Sequence, residues 1–226
     1  MTDILSDQIA YYRARAAEYD EWVLRVGRYD RGEAHRAEWF RELDALKHVM
    51  SATVRPTDDV LELACGTGLW TPHLSELARS VIAVDASLEA IALNRERVEA
   101  QRVRYLAADI FSWPLRRRFD LVFFGFWLSH VPEHRFQEFW ALVKEMLAPS
   151  GRVLFMDGLR EPTSTAVDHE SLDDSGMVRR KLNDGREFQI VKVFHDPRTL
   201  QNRLDRLGLA VSVRATGKFF YYGSTD

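Results

Sequence analysis

The chain has 226 residues, 46% of them hydrophobic, and a formal net charge of -3. That length suits one domain with a substantial core, with or without a small insert. The charge balance lacks the basic footprint of a protein that tracks phosphate backbones, and the lone cysteine, Cys65, excludes an intramolecular disulfide and a cysteine-based zinc site.

The opening "MTDILSDQIAYYRARAAEYD" has early acids and no apolar centre, unlike a signal peptide, and no apolar run reaches the ~20 residues that span a bilayer. A cytoplasmic protein, monomer or homodimer, with neither membrane nor nucleic acid as partner, is expected. From Asp7 to Val26, apolar residues at Ile9, Tyr12, Ala16, Tyr19 and Val23 recur at helical spacing. The turn-rich "GRYDRGE" ends that helix. A second, His35 to Met50, carries Trp39, Leu43, Leu46 and Met50 on one face, and Pro56 closes the segment.

Short apolar runs then alternate with helical stretches. The runs cover 60–64, 81–85, 103–109, 119–127 and 152–158; "TPHLSELAR" and "SLEAIALNRERVEA" are among the stretches between them. Such alternation implies right-handed βαβ crossovers and a parallel sheet covered on both faces. Later, "MVRRKL" and "REFQIVKVF" flank Asn183, Asp184 and Gly185, a hairpin signal. Asp196 as N-cap, Pro197 at the first helical position and Gly208 as C-cap frame a last helix, and two strands close the chain around Thr216 and Gly217.

The first run ends in "VLELACGTG". Glycines between a strand and a helix let a ligand approach the backbone and expose helix N-terminal amides, although a tight turn uses them for geometry alone. Thr71 stands where the dinucleotide fingerprint has its third glycine or alanine, and Glu62 would repel a pyrophosphate but suit a cationic ligand. Both features speak against a nicotinamide oxidoreductase. Asp85 ends the second strand, where such folds hold a ribose; alternatively it caps the next helix, a job Ser87 can also do. Asp109 and Ile110 suit an adenine edge, with a plain loop acid as the other reading of Asp109.

In this order, "VLELACGTG", "VIAVD", "AAD" and "FDLVFFGFWLSHV" resemble the class I S-adenosylmethionine-dependent methyltransferases, over about Val54 to Leu159. The resemblance implies an α/β, Rossmann-like doubly wound sheet of seven strands with the last one antiparallel. It divides the chain into an N-terminal helical cap (1–53), a cofactor-binding core (54–158), a lid with an inserted β-hairpin (159–195), and a closing helix and strands (196–226). It implies that S-adenosylmethionine is held by Glu62, Ala64, Gly66 and Gly68 at its methionine part, Asp85 and Ala86 at the ribose and adenine edge, and Asp109 and Ile110 at the adenine, with Phe126 also among the cofactor-binding residues. Tyr12, on a first helix that folds over the cofactor in relatives, either touches it or packs. Cys65 reads as a packed turn residue.

Ligands in open α/β sheets bind beyond the carboxyl ends of the strands, which brings Phe126, Trp127, Ser129 and His130 towards the transferable methyl. His130 titrates near neutral pH and can take a proton from an acceptor, with Asp157 a candidate neighbour; its other reading is packing or capping. "DHE" at 168–170 offers either a Mg²⁺ site with His169 or a polar lid on the acceptor side, and no metal is assigned. The "NPPY"-like tetrapeptide of nucleic-acid amino-methylating relatives is missing, and "YYRARAAEYDEW" with "TGKFFYYG" resembles small actinobacterial-type enzymes acting on natural products or sugars. The reading is O-methylation of a small-molecule acceptor, with N-methylation and a non-catalytic cofactor-binding protein as its rivals.

Overall fold

The N-terminal stripe of apolar residues does not form one helix. In the computed structural model, which describes residues 4–98, 102–113, 117–169 and 175–225, α1 (Ile4–Arg15) gives way to a 3-10 turn at Ala16–Glu18 and then α2 (Tyr19–Leu24). The guanidinium of Arg15 lies 4.9 Å from the Tyr19 ring across that turn. Arg25 ends α2 in the left-handed region at φ 54°, and its guanidinium sits 4.3 Å from Trp39 and donates to the carbonyls of Thr163 and Ser164 at 2.6 and 2.9 Å. The second expected helix is α3 (Glu33–Thr53), a turn longer at its C-terminal end, with Trp39, Leu43, Leu46 and Met50 buried.

Strands and helices then alternate as β1 (Asp59–Leu63), α4 (Thr71–Leu77), β2 (Ser80–Asp85), α5 (Leu88–Arg97), β3 (Val103–Ala107), β4 (Phe119–Gly125), α6 (Phe136–Met146) and β5 (Leu147–Gly158). After the hairpin of β6 (Met177–Lys181) and β7 (Glu187–Val191) come α7 (Pro197–Arg206), β8 (Val211–Ala215) and β9 (Phe220–Thr225). The main sheet is ordered β3-β2-β1-β4-β5-β9-β8. Neighbours from β1 to β5 pair in parallel, and β9 runs antiparallel to both β5 and β8. The seven-stranded doubly wound sheet with an antiparallel last strand is therefore present. Asp196 caps α7 by accepting from Thr199 N at 2.8 Å, and Gly208 takes φ 70° beyond it, as read from the sequence.

Apolar side chains bury both faces of the sheet. Trp39, Leu46 and Leu74 of α3 and α4 pack one face, and Phe139, Trp140, Leu200 and Leu204 of α6 and α7 pack the other. The strand order reverses between β1 and β4, so their carboxyl ends diverge and open a crevice. Above it lie α1 and the hairpin. Tyr11 of α1 packs with Val178, Leu182 and Ile190, and Asn183 at the hairpin tip donates to Glu18 and Glu21 at 2.9 and 2.8 Å. Among the described residues, no helix is long and apolar enough to cross a membrane.

Candidate active site

The turn after β1 needs backbone conformations that most residues avoid. Ala64, Gly66 and Gly68 have φ of 52°, 53° and 92°. The two glycines answer different demands. A Cβ on Gly68 would come within 2.7 Å of the Asn94 side chain and 3.2 Å of its Cα, so Gly68 permits α5 to approach; a Cβ on Gly66 would meet nothing within 4 Å and faces open space. Cys65, between Ala64 and Gly66, is 5% exposed, its carbonyl accepting from Gly68 N at 3.2 Å and its thiol pKa pushed up by burial.

Glu62 lies beneath this turn. It is 1% exposed and accepts from Thr71 Oγ1 at 2.8 Å; Thr71 in turn accepts from Asn94, and Asn94 accepts from Tyr105 at 2.9 Å. Thr71, in the place of a third glycine, is thus the partner that holds the acid. Burial raises the Glu62 pKa to about 8. Asp85 takes Gly66 N on one carboxylate oxygen at 2.9 Å and Ser87 N on the other at 2.8 Å. Ser87 itself caps α5 by accepting from Ala90 N at 3.0 Å, which frees Asp85 from that task.

A cavity of ≈ 890 Å³, partly open to solvent, lies between this turn and α1. Tyr12, Ala64, Gly66, Asp85, Ala86, Asp109, Ile110, Phe126, Trp127 and His130 all line it, whereas Glu62 and Gly68 do not reach its wall. Ile9, Ala16 and Tyr19 line it too, so most of the helical stripe read from the sequence faces a cavity rather than the sheet. Asp109 turns its carboxylate to Phe111 N and Ser112 Oγ at 3.0 and 3.1 Å. Phe126 holds φ 57° with its N–H on Met156 O at 2.7 Å, and the rings of Trp22 and Phe220 lie 4.9 and 5.5 Å away. A phenylalanine in that region is strained, and its neighbours hold it there.

The state of His130 follows from its partners. Its ring is 2.8 Å from the Val191 carbonyl at Nδ1, and a carbonyl only accepts, so Nδ1 carries the hydrogen. Nε2 therefore presents its lone pair, to which Tyr12 OH donates at 2.7 Å. Burial, followed by the charge of Lys192, drives the His130 pKa well below 6.5, so the imidazole is neutral at pH 7. The expected help from Asp157 is absent: its two oxygens accept from Ser129 Oγ and N at 2.9 and 2.8 Å, with Lys192 at 3.8 Å.

A second cavity of ≈ 690 Å³ shares Tyr12, Tyr19, Phe126 and His130 with the first. His169 lines this one, 3.3 Å from Arg28 Nη2, with burial and then Arg180 and Arg28 lowering its pKa to about 4. Asp168 pairs with Arg28 at 3.3 Å, and Glu170 lies outside the described residues. Among the described residues, no group of three or more His, Cys, Asp or Glu is placed to hold a metal ion. Sequence reasoning missed Arg15, Arg180 and Lys192 on this wall. One signal was available for Arg180: strand alternation puts it on the same inward face as Val178.

A family model described as a methyltransferase domain matches residues 60–151. The chain is 38% identical to a protein solved as a DhpI–SAH complex, over 98% of this chain and 95% of that one, with a TM-score of 0.78. Against a DhpI–SAM–HEP complex it is 37% identical over 99% and 98% of the two chains, at 0.79. Demethylmenaquinone methyltransferase from Bacillus cereus (strain ATCC 10987 / NRS 248) is 29% identical over 138 residues, 57% of this chain and 53% of that protein, so the match spans about half of that relative.

Proposed function

Because this chain belongs to the class I S-adenosylmethionine-dependent methyltransferases, we propose that it methylates a hydroxyl oxygen of a small molecule. When bound, the cofactor supplies an electrophilic methyl group on a sulfonium. The first cavity suits it. Asp85 has spent one lone pair on each oxygen and retains acceptor capacity for two ribose hydroxyls. Gly66 leaves its backbone open to the ligand, and Asp109 with Ile110 edges the adenine end.

The observation that carries hydroxyl specificity is the His130 lone pair on a wall common to both cavities. An acceptor hydroxyl that replaces Tyr12 on Nε2 gives its proton to that nitrogen as its oxygen becomes nucleophilic. Most of the acceleration comes from holding the reacting atoms in line, with the base adding roughly 10²–10⁴-fold. An amine acceptor has less use for such a base.

Labelled S-adenosylmethionine with panels of hydroxylated and aminated metabolites tests the proposal. Label in an ether product supports it, label in an ester moves the acceptor to an acid oxygen that needs no base, label on nitrogen replaces it with N-methylation, and cofactor binding without turnover on any acceptor points to a sensor. A thermal shift with NAD but none with S-adenosylmethionine would refute the cofactor assignment.

A further inference from the structure

The second cavity concentrates positive charge that the protein does not neutralise. Arg15 of α1 and Arg180 of β6 are 9% and 8% exposed, and both line it. Among the described residues, no carboxylate pairs with either. Arg15 donates to Tyr29 OH at 3.3 Å, and Arg180 reaches only the Arg179 carbonyl at 3.5 Å. Among the described residues, buried Arg152 pairs with Asp58 at 2.5 Å, whereas Arg25 donates to two carbonyls and lies against the Trp39 ring, as Arg15 lies against the rings of Tyr11 and Tyr19. Leaving two like charges buried without a counterion is costly. Lys192, on the same wall, is partly compensated by Asp157 at 3.8 Å. The field of these cations is felt by both histidines facing the cavity: Lys192, Arg180 and Arg15 each depress His130, and Arg180, Arg28 and Arg15 depress His169.

We infer that this cavity is an oxyanion subsite for the acceptor, in which Arg15 and Arg180, flanked by Lys192, bind a dianionic phosphate-type group. The inference rests on the methyltransferase reading and names the acceptor's chemical class. Two uncompensated guanidinium charges call for two negative charges. Arginine forks also match oxyanions through paired N–H donors. An acceptor anchored there lies against Tyr12, Phe126 and His130, the residues the two cavities have in common. Selectivity then resides in α1 and the hairpin, away from the cofactor's own wall.

The test uses protein saturated with S-adenosylhomocysteine and titrated calorimetrically with inorganic phosphate at constant ionic strength near pH 8. Phosphate is expected to bind in the millimolar range or tighter, and acetate at least about tenfold more weakly. Arg180→Gln should weaken phosphate by at least about tenfold without changing S-adenosylhomocysteine affinity, and Arg180→Lys should recover part of the loss. Arg15→Gln is held to the same criterion and stands in if the first variant does not fold. Absence of phosphate binding to protein that binds S-adenosylhomocysteine, unchanged affinity in both glutamine variants, or acetate binding more tightly than phosphate would overturn the subsite alone. Failure of the wild-type protein to bind S-adenosylhomocysteine would instead overturn the reading on which it rests.

Discussion

Replacing His130 separates its role in proton transfer from its role in the fold, provided the substituent is chosen from the geometry. The ring is 6% exposed, donates to Val191 O at 2.8 Å and accepts from Tyr12 OH at 2.7 Å. His130→Ala strips both partners, and each buried group left unpaired costs about 1–3 kcal/mol, so that variant loses roughly 2–6 kcal/mol of stability. His130→Asn places an amide N–H where Nδ1–H was, keeps the link to β7, and offers nothing at the Nε2 position. Its methyl-transfer rate at saturating cofactor and acceptor should fall about 10²–10⁴-fold, or ~2.7–5.5 kcal/mol of barrier, while cofactor affinity is retained. The wild-type pH profile follows from the depressed imidazole pKa. A base must be neutral to accept a proton, so the rate should stay flat from pH 8 through 6.5 and decline only below that. Single-turnover rates from pH 5 to 8.5 provide the assay. A wild-type rate that climbs through pH 6.5 would show that the imidazole is not depressed, and an asparagine variant with the full rate would show that it is not the base.

Asp85→Asn should weaken S-adenosylmethionine by about 1.5–3 kcal/mol while the unliganded protein melts near its wild-type temperature; an unchanged dissociation constant in calorimetry would contradict the ribose assignment. Glu62 is protonated in the folded protein up to pH about 8, whereas its ordinary value is 4.5, so its contribution to stability is full below 4.5 and is lost as pH rises through 8. The stability difference between wild type and Glu62→Gln should therefore shift against wild type by up to ~1.4 kcal/mol per pH unit from 6.5 to 8, and a pH-independent difference in urea unfolding would refute this. Trimming the hairpin tip at Asn183–Gly185 should raise the acceptor KM more than the cofactor dissociation constant, because β6 and the residues after β7 line the second cavity and not the first. Equal loss of both would make the hairpin a structural brace.

What the sequence disclosed was local. The strand ending in Glu62, the glycines after it and Asp85 at the next strand end lie within one βαβ unit, so spacing alone places them at one rim. The stripe from Ile9 to Tyr19 was legible as a face, but periodicity does not say what a face meets, and it survives the 3-10 turn at Ala16–Glu18 that breaks the helix. Glu62 illustrates the opposite limit: an acid before a glycine turn suggests contact with a ligand, yet Thr71 and Asn94 enclose it below the wall. The cations of the second cavity were illegible as a set. Arg15, Arg180 and Lys192 come from a helix, a strand and a loop more than a hundred residues apart in the extreme case, and only tertiary packing brings them together.

The burial of Cys65 has a use beyond chemistry. As the chain's one thiol, held between Gly66 and the end of β1 with its pKa pushed up, it cannot react with a labelling reagent while the turn is closed. Its modification rate therefore clocks how often the segment at the mouth of β1 breathes open, with no background from a second sulfur. A ligand that rests on this turn slows the clock, and one that rests only against the arginines across the shared wall leaves it running, so a single colorimetric trace distinguishes occupancy of the two compartments without a mutation.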